Sequence, residues 1–110
     1  MFAVIYRGRV NPEQESLYQK SWKEIASFFI NECGALGSCL HKTDDGLWLA
    51  YSRWPSKEHR DNAWPGIDAD VELLDNKVKQ SFLTLKRCVV ERLPEIQLNV
   101  VEDLLLGSPS

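Results

Sequence analysis

The fold is decided over Gly46-Leu-Trp-Leu-Ala-Tyr-Ser-Arg-Trp-Pro-Ser-Lys-Glu-His-Arg-Asp-Asn-Ala-Trp64, where an aromatic strand gives way abruptly to a short helix. Leu47–Trp54 holds large β-formers with neither glycine nor proline, the composition of a strand. Pro55 ends it, and Ser56 is placed to cap the helix that follows, with Lys57 and Glu58 in its first turn. Upstream, Thr43-Asp44-Asp45-Gly46 reads as a tight turn whose glycine takes positive φ. Residues 36–42 then become the antiparallel partner of the aromatic strand. Downstream, Pro65-Gly66 interrupts the helix, and a further helix starts near Asp68 or Asp70 with Val71, Leu74, Val78 and Phe82 on one face. A fourth strand is expected over residues 85–93, dense in β-branched and apolar side chains.

Working outward to the start of the chain, Phe2–Val10 alternates as a strand whose two faces both begin apolar, which places it inside a sheet. Asn11-Pro12-Glu13 supplies a cap, a proline at the first helical position and an acidic first turn. The helix that follows runs to about Glu32. Tyr18, Trp22, Ile25 and Phe29 form its apolar stripe, widened by Leu17, Ala26 and Phe28, and Gly34 closes it. The order is β-α-β-β-α-β. That order predicts an α+β, ferredoxin-like domain: a four-stranded antiparallel sheet with helices on one face. Ala3, Ile5, Cys88 and Val90 make the opposite face apolar as well, so a second protomer is expected to cover it. The domain is drawn over residues 1–93. Residues 94–110 form a tail in which Ile96, Leu98 and Val100 alternate with polar residues as an edge strand would, expected to reach the partner.

Composition excludes several classes. A chain of 110 residues holds one domain and one core, and 44% hydrophobic with 26% charged residues argues against disorder. The net charge of −3 offers no basic surplus for nucleic acid. No apolar run spans a bilayer and no leader precedes the first strand, so a cytoplasmic protein is expected. Cys33, Cys39 and Cys88 are odd in number and lack metal-ligand spacing, as reduced cytoplasmic thiols would. His41 and His59 have no Asp or Cys at metal spacing, and no metal site is expected.

Taken together, Phe2-Ala-Val-Ile-Tyr-Arg7 with Val10-Asn-Pro12, the Cys33-Gly-Ala-Leu-Gly-Ser38 entry to the second strand and the Tyr51-Ser-Arg-Trp-Pro-Ser56 strand exit give a chain that resembles the antibiotic biosynthesis monooxygenase family. The resemblance covers roughly the first nine-tenths of the chain, carried more by element order than by strict motif. It implies a homodimeric α+β barrel with a pocket between each sheet and its helices. It also implies oxygenation of a small phenolic or quinol-like aromatic without metal or flavin, with molecular oxygen as co-substrate. Related barrels degrade haem through an Asn on strand one, a Trp and an axial His. Here Tyr6 stands at the Asn position, Trp64 is offset from the Trp position and residues 68–82 hold no histidine, so haem is not expected.

The candidate catalytic residues are Tyr6, His59 and Asn62, with Trp22 and Trp64 binding substrate. Tyr6 serves either as a phenol bonded to a substrate oxygen or as a core tyrosine tied to backbone. His59 and Asn62 lie three apart on one helix face, and a histidine suits proton abstraction near neutral pH. A solvated surface among Lys57, Glu58, Arg60 and Asp61 accounts for them more simply. Trp64 before Pro65-Gly66 reads as a pocket wall or as packing, and Trp22 as a pocket floor or as core. Two other functions fit the same fold: a non-catalytic dimeric module that binds a small ligand, and a non-oxidative isomerase or lyase.

Overall fold

The computed structural model describes residues 1–63 and 76–105. Its elements are β1 (Phe2–Val10), α1 (Glu15–Glu32) entered through a 3-10 turn at Pro12–Gln14, β2 (Gly37–Lys42), β3 (Leu47–Trp54), α2 (Lys57–Ala63), α3 (Asn76–Cys88) and β4 (Val89–Asn99). The strands form one antiparallel sheet in the order β2-β3-β1-β4, with β1 inside it as its two apolar faces require. This is the ferredoxin-like α+β arrangement.

The local signals act as their chemistry dictates. Asn11 Oδ1 accepts from the Glu13 backbone N–H at 3.0 Å, and Ser56 Oγ accepts from the His59 N–H at 3.2 Å. Gly34 and Gly46 take φ of 82° and 90°, where a side chain would be strained. α1 lays Tyr18 and Phe29 on the sheet against Trp48 and Trp54, whereas Leu17 is exposed, because it falls beside the buried stripe rather than on it. α3 packs on α1 through Ile25, Val78 and Phe82, and the Ser81 hydroxyl donates to Glu24 across the same seam.

Three expectations change. The last helix runs on to Cys88 where a strand was expected from residue 85. Val78, Phe82 and Leu85 keep helical spacing, and Leu85 and Cys88 pack beside Val10, Tyr18 and Trp48. Cys88 is therefore fully buried on the helix side, not on the open face. Residues 94–99, drawn as a separate tail, are the second half of β4 and pair with β1 of the same chain, from Ile5↔Ile96 to Phe2↔Asn99. Beyond them Val100 N–H donates to the Met1 carbonyl at 3.0 Å and Asp103 pairs with Arg53, which holds the following residues against the chain's own sheet. The start of the last helix, with Val71 and Leu74, lies outside the described residues.

Candidate functional site

Pleating sends Phe2, Val4, Tyr6, Gly8 and Val10 of β1 toward the helices, opposite Trp54, Ser52, Ala50 and Trp48 of β3. Between this face and α1 and α3 lies a cavity of about 930 Å³, lined among others by Tyr6, Trp22, Phe29, Trp54, Phe82 and Glu95. That volume is at the upper end of the range for small-molecule pockets, and its wall is mainly aromatic and aliphatic.

Its polar end is built around Arg60, which only 2% of its surface exposes. α2 has to set one face on the sheet. Counting back three residues from Ala63, which packs beside Phe2 and Trp54, that face includes Arg60. The guanidinium lies over the Phe2 ring at 5.5 Å and uses all three of its nitrogens. Nη1 donates to the Tyr6 hydroxyl at 3.1 Å, Nη2 to Glu95 Oε2 at 2.9 Å and Nε to Asp61 Oδ1 at 2.8 Å. Burial alone would favour the neutral guanidine, but the bonds to Glu95, Asp61 and Tyr6 outweigh it and raise the pKa, so Arg60 is a permanent cation. Burial pushes the Tyr6 hydroxyl above its ordinary value, against the bond and charge of Arg60. Tyr6 therefore keeps its proton at neutral pH, and with its oxygen accepting from Arg60 the O–H is left to donate into the cavity.

Glu95 reaches this cluster because β4 is bulged. Arg7 pairs with Leu93 and Ile5 with Ile96, so Pro94 and Glu95 together face Tyr6. The extra residue reverses the alternation beyond it and turns Glu95 to the helix side. Pro94 sits where a strand tolerates a missing N–H, and its carbonyl accepts from Arg7 Nη2 at 2.9 Å and Nε at 3.3 Å. Burial raises the Glu95 carboxyl, but hydrogen bonds from Arg60 and from Gln97 Nε2 at 2.9 Å prevail and hold it below its usual range. Gly8 lets β4 approach: a Cβ there would stand 2.8 Å from the Glu91 carbonyl oxygen.

Of the residues picked out in the sequence, Tyr6 and Trp22 line this cavity. His59 and Asn62 do not. With Arg60 and Ala63 turned inward, they face outward and border a separate shallow cleft with Cys33, Glu58 and Ala63. His59 is exposed, its Nδ1 3.0 Å from Ser56 Oγ, which makes it part of the helix cap. Of the two readings of His59 and Asn62, the solvated helix surface is the one that agrees with their exposure, and a catalytic role for them beside Tyr6 is corrected. Trp64 lies outside the described residues. His41 is exposed near the hairpin end, its Nδ1 3.4 Å from the Leu49 carbonyl. Among the described residues no group of three or more His, Cys, Asp or Glu is placed to hold a metal ion. Nor is any described helix long and apolar enough to cross a membrane. Arg60 and Glu95 were missed in the sequence. Helical spacing from Ala63 signals the first, and the proline inside a strand pattern is the only hint of the second.

No protein-family model and no curated protein matches this sequence. Solved structures do. A candidate antibiotic biosynthesis monooxygenase from Chloroflexus aurantiacus superposes with a TM-score of 0.71 at 15% identity, covering 96% of this chain and 98% of that one. One of the same description from Nitrosomonas europaea gives 0.71 at 10% identity, over 93% and 100% of the two chains. SnoaB, a cofactor-independent oxygenase from Streptomyces nogalater, gives 0.69 at 12% identity over 94% and 95%. Likeness this even over both full lengths, on the sheet and helices described above, gives the chain the fold of the antibiotic biosynthesis monooxygenases.

Proposed function

We propose that the protein is a cofactor-independent monooxygenase that oxygenates a small phenolic or quinol-like aromatic in the cavity between sheet and helices. The observation that carries this reading is the pairing of a large aromatic-walled cavity with a protonated Tyr6 backed by the buried Arg60 cation. An aromatic substrate stacks against Trp22 and Phe82, with its oxygen at Tyr6. When that oxygen passes its proton to the neighbouring Glu95 carboxylate, the negative charge moves from Glu95 to the substrate oxygen, where a preorganised donor already points. The electron-rich anion passes one electron to molecular oxygen, and the two radicals recombine at carbon. One oxygen atom stays in the product, and the other leaves as water with the hydroxyl proton and the one hydrogen of that carbon. The substrate supplies all the electrons, so no flavin, metal or haem is needed. SnoaB, of the same fold, is described as working without a cofactor.

In our reading the working form is a homodimer. Ile96 and Leu98, outward on β4, are each 37% exposed, and Val101, Leu104 and Leu105 of the following segment are exposed beside them. A second copy laid on this face removes them from water. All three cysteines are free, as a reducing cytoplasm keeps them.

The test is oxygen uptake by flavin-free, chelator-treated protein given an anthrone as substrate. The expected result is uptake of one oxygen molecule per substrate, reduced about a hundredfold in Tyr6→Phe, the scale of losing one oxyanion donor. No uptake above the uncatalysed rate would refute the oxygenase. Substrate consumption under nitrogen would instead identify an isomerase or lyase.

A further inference from the structure

We infer that Glu95 determines specificity: it reads the charge of the ligand at the polar end of the cavity, admitting a neutral hydroxyl and rejecting a carboxylate. The inference rests on the cavity being the site, as proposed above, and extends that reading to the class of ligand admitted. Tyr6 and Glu95 are bonded to neighbouring nitrogens of one guanidinium, so their oxygens stand side by side at one end of the cavity. Glu95 Oε2 accepts from both Arg60 and Gln97, while Oε1 has no partner among the described residues. The end wall thus offers one donor, the Tyr6 O–H, beside one acceptor, Glu95 Oε1. A ligand hydroxyl satisfies both, donating to Glu95 and accepting from Tyr6.

A carboxylate cannot. It has no proton for Oε1, and it would bring a second negative charge beside an ionised one. The buried cation does not offset this, because Arg60 already meets two carboxylates, Asp61 and Glu95, and its three nitrogens are all engaged. Arg92 also lines the cavity, but it is an exposed residue three positions back along β4, where water screens its charge. Like charges forced together out of water are a common device for rejecting a wrong ligand of the right shape.

The experiment measures binding under nitrogen by quenching of tryptophan fluorescence, with 2-naphthol, its methyl ether and 2-naphthoate as probes. The wild-type protein should bind 2-naphthol about tenfold or more tighter than either of the others, the scale of one hydrogen bond to a charged group. Glu95→Gln, which still accepts from Arg60 but carries no charge, should improve 2-naphthoate about tenfold and weaken 2-naphthol. Equal affinity of the wild type for naphthol and naphthoate, or an unchanged ratio in Glu95→Gln, overturns the inference. Should Glu95→Gln not fold, Glu95→Asp keeps the charge and must still reject naphthoate; an Asp variant that accepts it also overturns the inference. Binding of none of the three probes overturns it together with the assignment of the cavity. Turnover plays no part in this assay, so a failure to consume oxygen bears on the reaction alone.

Discussion

Arg60 shows how a side chain that looks like surface becomes the centre of a site. Within Lys57-Glu-His-Arg-Asp61 every residue is polar, and by composition the whole turn belongs in water. Placing a guanidinium at 2% exposure is tolerable only because Tyr6, Glu95 and Asp61 take up its donors. His59, the residue whose ordinary chemistry looked most catalytic, lies one position away and on the wrong face. Which face a short helix buries is a tertiary outcome, weakly encoded when the helix has no apolar stripe, so Tyr6 was legible and Arg60 was not. The pairing also has a pH signature. The Glu95 pKa in the folded protein lies below its unfolded value, so its contribution is present above the ordinary carboxylate range and is lost as pH falls through the depressed value. Thermal unfolding followed from neutral to acid pH should show stability falling below the ordinary carboxylate range, with a shallower fall in Glu95→Gln. An identical slope in the variant would mean that the Arg60–Glu95 pair contributes nothing to folding.

At the scale of elements, periodicity located nearly everything except the last strand. The hairpin, the α1 stripe and both glycine turns follow from spacing and turn chemistry alone. β4 escaped in two ways. Leu85 and Cys88 are as apolar as strand residues, but helical spacing carries them onto the Tyr18–Trp48 cluster. The bulge at Pro94 and Glu95 then reverses which residues face the cavity, and no local pattern announces a register shift that only the neighbouring strand defines. Gly8 is the fixed point of that pairing, since the atom a Cβ would meet is backbone and cannot swing aside. Gly8→Ala should push β4 away from β1 and cost about 1–3 kcal/mol, the usual range for overpacking. Urea denaturation measures it. A variant as stable as the parent would show that β4 has freedom to move at this point.

For the molecule as a whole, helices cover one face of the sheet, and the other keeps Ile96 and Leu98 over a third exposed next to the segment pinned by Asp103 and Arg53. The sequence announced this second apolar face through Ala3 and Ile5, although Cys88, read as part of it, belongs to the core. Ile5 pairs directly with Ile96, so one charge there touches the centre of the proposed contact. Sedimentation of the parent at micromolar concentration should give a dimer and Ile96→Lys a folded monomer. A parent that sediments as a monomer, or a variant that stays dimeric, would count against a second copy on this face.

The central claim, that the Tyr6–Arg60–Glu95 end of the cavity holds the oxygen of an aromatic ligand, is tested most directly by a crystal structure with 2-naphthol bound. The account predicts the naphthol oxygen within hydrogen-bond distance of the Tyr6 hydroxyl and Glu95 Oε1, with its rings against Trp22 and Phe82. Naphthol seated instead in the shallow cleft beside His59 and Asn62, or turned with its oxygen away from Tyr6, would contradict it.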